Sequence, residues 1–203
     1  MSVTQLTYYI PAILIALTIH EFSHGLVAHT LGDPTPKNQG RLTLNPLAHL
    51  DPLGTLMLIV ARFGWAKPVQ VNPFNFRGNR QFGLLLVSLA GPVSNLVVAL
   101  LGGILYNLVE VYSYVWYFAI SSISINVYLA LFNLLPIPPL DGSKILLGLL
   151  PRRLHEYVYK LEAYGPFILI ILIVSNITGK VLVPIAQVII MVIAQIGVLI
   201  TGS

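Results

Sequence analysis

Apolar residues in this chain gather into long runs separated by short polar stretches, without the apolar stripe that recurs along a soluble surface helix. Residues 6–31 form the first run, 81–109 the second, with Arg80 just before it and Glu110 just after, and about 115–137 the third. Two more follow at 164–178 and 181–200, the former near the lower length limit for crossing a bilayer. A helix needs about 20 apolar residues to cross the hydrocarbon core, so the pattern predicts five spans. Between the first two runs lie about fifty residues rich in Pro and Asn. Within them, 53–63 is apolar but too short to cross, and irregular backbone at membrane depth survives only against protein or water, so a re-entrant or interfacial piece is expected. In 65–72, WAKPVQVN, Val69 and Val71 alternate with polar neighbours as in a short strand, and Pro68 suits a sheet edge.

Composition agrees with a lipid environment. Of 203 residues, 56% are hydrophobic and only 9% charged, where a soluble domain carries about 25% charged residues. The net charge of +4 could suggest nucleic acid, but the basic residues sit in short segments between apolar runs, which points to topology and not to nucleic-acid binding. With no cysteine, disulfides, iron–sulfur clusters, thiol nucleophiles and thiolate-bound zinc are excluded, so any metal must use His and carboxylates. The first run lacks a basic leader and contains ionisable residues, so it is read as a retained span and not a signal peptide.

Side by side, the basic residues set the orientation. Lys37, Arg41, Arg62, Lys67, Arg77 and Arg80 follow the first span, and Lys144, Arg152, Arg153 and Lys160 follow the third, leaving only Lys180. If five spans alternate, ten of the eleven fall on one side, which the positive-inside rule makes cytoplasmic, with the N-terminus outside.

The candidate chemistry starts with HEFSH, His20 to His24, near the cytoplasmic end of the first span. On a helix, positions i and i+4 are separated by about 6 Å along the axis and about 40° around it, so both imidazoles can reach one Zn²⁺ while Glu21 sits beside a water. Ionisable residues inside a membrane helix are costly and functional by default. The bland account is that the three bridge helices through hydrogen bonds. A catalytic zinc site wants a third protein ligand and one open position. Candidates are His29, His49, Asp51, Asp141 and His155. The charge-derived topology favours Asp141, which lies in NLLPIPPLDG past the third run and shares a depth with HEFSH. Pro136, Pro138 and Pro139 forbid a regular helix there.

Five stretches together resemble the site-2 protease family of intramembrane zinc metalloproteases, in its small type without a PDZ domain. HEFSHG at 20–25 resembles the zinc helix, NPLAHLDPLGT at 45–55 and GWAKPVQVNP at 64–73 the loop signatures, LAGPVSN at 89–95 the second core helix, and NLLPIPPLDG at 133–142 the third-ligand motif. The resemblance implies an all-α polytopic membrane protein. Three core helices hold the site within 1–150, two C-terminal spans occupy 151–203, and a re-entrant segment and short β-strand loop lie between spans one and two. It implies one Zn²⁺ held by His20, His24 and Asp141, Glu21 as base and acid, and Asn133 as the group that steadies the oxyanion. Lys67, Pro68, Val69, Gln70 and Val71 would line an unwound substrate. His49 and Asp51 are expected to hold their loop together, Asn95 and the preceding AGP to pack helices closely, and His29 and His155 to carry no role.

The implied activity is hydrolysis of peptide bonds in or near transmembrane segments, in a bacterial or archaeal plasma membrane, with a transmembrane protein as substrate and no nucleic-acid partner. The alternative from another class is a proton or metal-ion transporter lined by the same polar residues. Against it, the chain lacks paired halves with broken helices in matching places.

Overall fold

The computed structural model describes residues 3–61 and 66–202, with α-helices α1 Val3–Thr30, α2 Thr35–Asn38, α3 Pro52–Ala61, α4 Arg80–Leu108, α5 Tyr114–Asn133, α6 Asp141–Leu149, α7 His155–Glu162, α8 Gly165–Val174 and α9 Ile177–Thr201. Four stretches, Thr4–Thr30, Arg80–Leu108, Tyr114–Asn133 and Ile177–Thr201, are long and apolar enough to cross a membrane. By these helices the chain is a multi-pass membrane protein.

The hub is α4, which packs against α1, α5, α6 and α9. Its inward residues include Gly83, Val87, Gly91, Asn95 and Ala99, spaced four apart and mostly small, while Val93, Val97 and Leu101 point outward and are exposed. This inverts a soluble helix: lipid solvates the large apolar face, and small residues let helices approach closely. At Gly103 a Cβ would lie 2.5 Å from Ile193 Cγ2, so the approach of α9 to α4 depends on that glycine. Ala99, Ile123, Val127, Ala186 and Ile193 form the buried apolar cluster joining α4, α5 and α9.

Three expectations need correction. The fourth run, 164–178, supplies only the ten-residue α8, about 15 Å long. It ends at Val174; two residues on, Asn176 adopts the left-handed conformation with φ 56°, which few residue types besides glycine tolerate, and α9 starts directly after. A fifth span exists only if α8 is joined to the preceding helical segment across a bend of 64°. The third run extends in sequence to 137, but its helix stops at Asn133, before the prolines.

No strand forms at 66–72 among the described residues; one isolated antiparallel bridge joins Leu50 and Ala66. The physical reason lies in the partners. Side chains, not a neighbouring strand, take up much of this backbone: Glu21 accepts from Val69 N–H, Asp33 accepts from Asn72 N–H, and Arg41 donates to the Lys67 carbonyl. Pro68 has no N–H to give. The apolar piece at 53–63 is represented by α3, with Leu53 and Leu56 exposed; Arg62, Phe63 and Trp65 lie outside the described residues.

Candidate metal centre

In the last third of α1, His20 and His24 face Asp141, the first residue of α6. All three are buried, and one ligand atom from each lies within 4.8 Å of the others. The two Nε2 atoms are 3.0 Å apart, and each is 3.1 Å from Asp141 Oδ2. Ligands about 2.05 Å from a tetrahedral zinc would stand about 3.3 Å apart, close to this triangle.

The far side of each imidazole fixes which nitrogen carries the proton. His20 Nδ1 is 2.6 Å from Asn95 Oδ1, and His24 Nδ1 is 2.7 Å from the Val87 carbonyl. Both acceptors require Nδ1–H, which leaves the Nε2 lone pairs facing one another and a carboxylate oxygen. Lone pairs converging at such distances repel unless a cation sits among them, so the donor set fits a divalent metal. The Asn95 amide is itself oriented, because its Nδ2 donates to the Ala16 carbonyl at 3.1 Å and to Asn126 Oδ1 at 2.8 Å. Asn126 in turn donates to the Ser122 carbonyl.

Backbone supply explains the placement of Asp141. The helix α5 ends before Pro136, Pro138 and Pro139, so the chain turns and restarts as α6, where a carboxylate in the first turn is favoured by the helix dipole. Gly142 permits this turn: a Cβ there would collide with the Leu134 and Leu135 carbonyls. Gly91 does the same across the site, since a Cβ would lie 2.6 Å from His20 Cε1 and 2.7 Å from His20 Nε2.

Beside the triad a cavity of about 220 Å³ is lined by Glu21, Asn133, Pro68, Val69 and Val71 as well as the triad. Glu21 Oε2 accepts from Val69 N–H at 2.8 Å. Asn133 Nδ2 donates to the Leu129 carbonyl at 3.0 Å, which spends one of its two hydrogens. Lys67 and Gln70 are not among the cavity walls: Lys67 N–H donates to the His49 carbonyl, and Gln70 accepts from Gln39.

The other candidates lie apart from the triad. His49 is fully buried and bonded to the Thr43 carbonyl at 2.8 Å, and Asp51 accepts from Gly54 N–H at 2.8 Å at the start of α3. His155 bonds to the Leu150 carbonyl, and His29 stands in the last turn of α1.

Four residues escaped the sequence reading in whole or part. Asn95 and Gly91 were legible only as packing groups. Arg41 is buried, donating to the Ala48 and Lys67 carbonyls; burial draws its pKa below the ordinary arginine value, against the raising influence of Glu21. Asp33 is fully buried and takes bonds from Thr35 N–H and Oγ1, Asn72 N–H and Asn75 Nδ2. Burial pushes its carboxyl up, but these bonds outweigh it and hold the pKa below the usual carboxylate value. Together Arg41 and Asp33 pin the two ends of the 67–72 segment.

Comparison with known proteins follows this geometry. The profile of Peptidase family M50 matches residues 106–175. YwhC of Bacillus subtilis is 42% identical over 186 residues, covering 87% of this chain and 84% of its own length. Rip2 of Mycolicibacterium smegmatis is 32% identical over 167 residues, covering 80% of this chain and 64% of its own length. MJ0611 of Methanocaldococcus jannaschii is 42% identical over 60 residues, 30% of this chain and 31% of its own. All three are provisionally named as zinc metalloproteases. No solved structure gives a significant match. A buried His–His–Asp group in a helical membrane bundle fits a metal-dependent membrane enzyme. The chain belongs to peptidase family M50, the site-2 proteases.

Proposed function

We propose that this zinc metalloprotease cleaves other membrane proteins, hydrolysing peptide bonds in or next to their transmembrane segments from a site open to the cytoplasmic side of the plasma membrane. The observation that carries the reading is the convergence of three buried ligand atoms on one point, with Glu21 on the wall of the same cavity. In this reading His20, His24 and Asp141 hold one Zn²⁺. Zinc held there supplies the Lewis acidity that polarises a peptide carbonyl and acidifies water.

Glu21 is the base that takes the proton from water and later the acid that returns it to the leaving amine. Its Oε1 has no partner among the described residues, while Oε2 holds Val69 N–H. Asn133, with one amide hydrogen unspent, donates to the oxyanion, where one such donor is worth roughly 3 kcal/mol. A helical substrate hides its carbonyls in hydrogen bonds and must unwind; laying it alongside 67–71 re-satisfies its backbone at membrane depth. Arg41 at Lys67 and Asp33 at Asn72 hold the two ends of the stretch beside which the substrate lies. The catalytic core lies within 1–150, with α3 as a re-entrant piece, and the ten basic residues that follow the first and third spans support the orientation.

Family membership sides with hydrolysis against the transporter alternative. Purified protein in liposomes, given a fluorogenic transmembrane peptide, tests the two together. Chelator-sensitive cleavage without Glu21-dependent cation flux supports the protease; flux without cleavage overturns it.

A further inference from the structure

Two cavities meet at the candidate metal centre, and they differ in chemistry. Both are walled by His20, Glu21, Asn133 and Pro139. One, of about 220 Å³, adds the polar His24, Ser88, Asp141 and Lys144 to an apolar wall of Pro68, Val69, Val71, Leu84 and Val87. Among the described residues the buried Ser88 hydroxyl has no hydrogen-bond partner, and the exposed Lys144, one turn beyond Asp141 on α6, forms no ion pair. Buried hydroxyls are nearly always bonded, so the one at Ser88 still has a hydrogen bond to make. The other cavity, of about 470 Å³, lies between α1, α5 and α8, is lined by Leu17, Leu129, Phe132, Leu169, Ile170 and Ile173, and opens outward past the exposed Ile170 and Ile173. Its outer wall is fixed to the site: Gly165 at the start of α8 packs so tightly on the Pro138 carbonyl that a Cβ would collide with it.

An extended peptide whose scissile carbonyl lies at Glu21 and Asn133 has its neighbouring side chains on either side of that shared wall. We infer that the site reads a polarity step in its substrate: a bulky apolar residue seats in the α1–α5–α8 cavity, and on the other side of the cut bond an acidic residue faces Lys144 and Ser88. The substrate class is then a transmembrane segment cut at its apolar-to-acidic edge. This rests on the proteolytic reading above and deepens it. The continuity of the apolar cavity with Glu21 identifies the occupant as part of the same chain that is cut. A methylene more or less in such a pocket changes rate by about 10–200-fold, enough for selection.

The test uses the full-length protein in liposomes with a set of transmembrane peptides that vary the residues flanking the cut bond, products being located by mass spectrometry. Wild type should prefer Leu or Phe on one side and Glu over Lys on the other. Lys144→Glu should invert the Glu/Lys preference. Leu169→Trp, which fills the apolar cavity, should depress cleavage of the Leu and Phe peptides about tenfold or more while sparing Ala, and Leu169→Ala should relax the preference toward larger residues. The inference is overturned if Lys144→Glu leaves the charge preference unchanged, or if both Leu169 variants alter all peptides equally. Cleavage of none of the peptides by wild type, or equal cleavage by Glu21→Gln, overturns the proteolytic reading itself; cleavage by wild type with unaltered preferences in the variants overturns only the polarity step.

Discussion

Asn95 Oδ1 stands 2.6 Å from His20 Nδ1, a buried contact between α1 and α4 made by residues 75 apart in sequence. The bond sets the tautomer that turns the His20 Nε2 lone pair toward Asp141 and His24. Partners of this kind behind metal-binding histidines typically carry 10–100-fold in metal affinity. Asn95→Ala should therefore weaken zinc binding by about that factor in a chelator competition, with helical content unchanged, whereas Asn95→Asp, which keeps an acceptor, should retain it. Equal affinity in the Ala variant would reduce Asn95 to a packing residue.

Gly91→Ala offers a second probe of the centre. In an unobstructed helix, alanine is favoured over glycine by about 1 kcal/mol, so the substitution does not weaken α4 by propensity. The added carbon would nevertheless strike both imidazoles. Zinc content by elemental analysis should fall well below one per chain while circular dichroism stays helical. Full zinc loading would show that α1 and α4 separate easily.

How much of this centre was legible in the sequence depends on which signal each residue sends. His20 and His24 announce themselves through i, i+4 spacing on one face, and Asp141 through the side of the membrane to which basic residues assign its loop. Asn95 and Gly91 sit in LAGPVSN, and one chain's letters do not say whether a small residue makes room for a helix or for an imidazole. The strand expected at 66–72 did not form because its bonding partners are Glu21, Arg41 and Asp33, long-range side chains that periodicity cannot anticipate. The bend at Asn176 was hidden in the same way: one residue in a left-handed conformation divides two apolar runs that the hydropathy pattern divides a few residues later.

Asp33 gives the pH dependence. Its folded-state pKa lies below the ordinary value of 3.8, because four hydrogen bonds to the charged form outweigh burial. The contribution to stability is therefore complete above about pH 4 and is lost as pH falls through the folded-state value. Thermal unfolding in detergent should show a drop in midpoint on acidification that Asp33→Asn makes smaller, and the variant should be less stable than wild type at neutral pH. An identical acid profile in both would mean that Asp33 does not hold the 67–75 segment through its charge.

In the proposed function Glu21 works as base and acid at a zinc centre formed by His20, His24 and Asp141. Glu21→Gln preserves size and keeps an oxygen for Val69 N–H but cannot accept the proton. The decisive measurement is zinc content and transmembrane-peptide cleavage on the same purified sample of this variant. The predicted result is one zinc per chain, as in wild type, with cleavage slowed by about 10²-fold or more. Cleavage at the wild-type rate with zinc bound would contradict it.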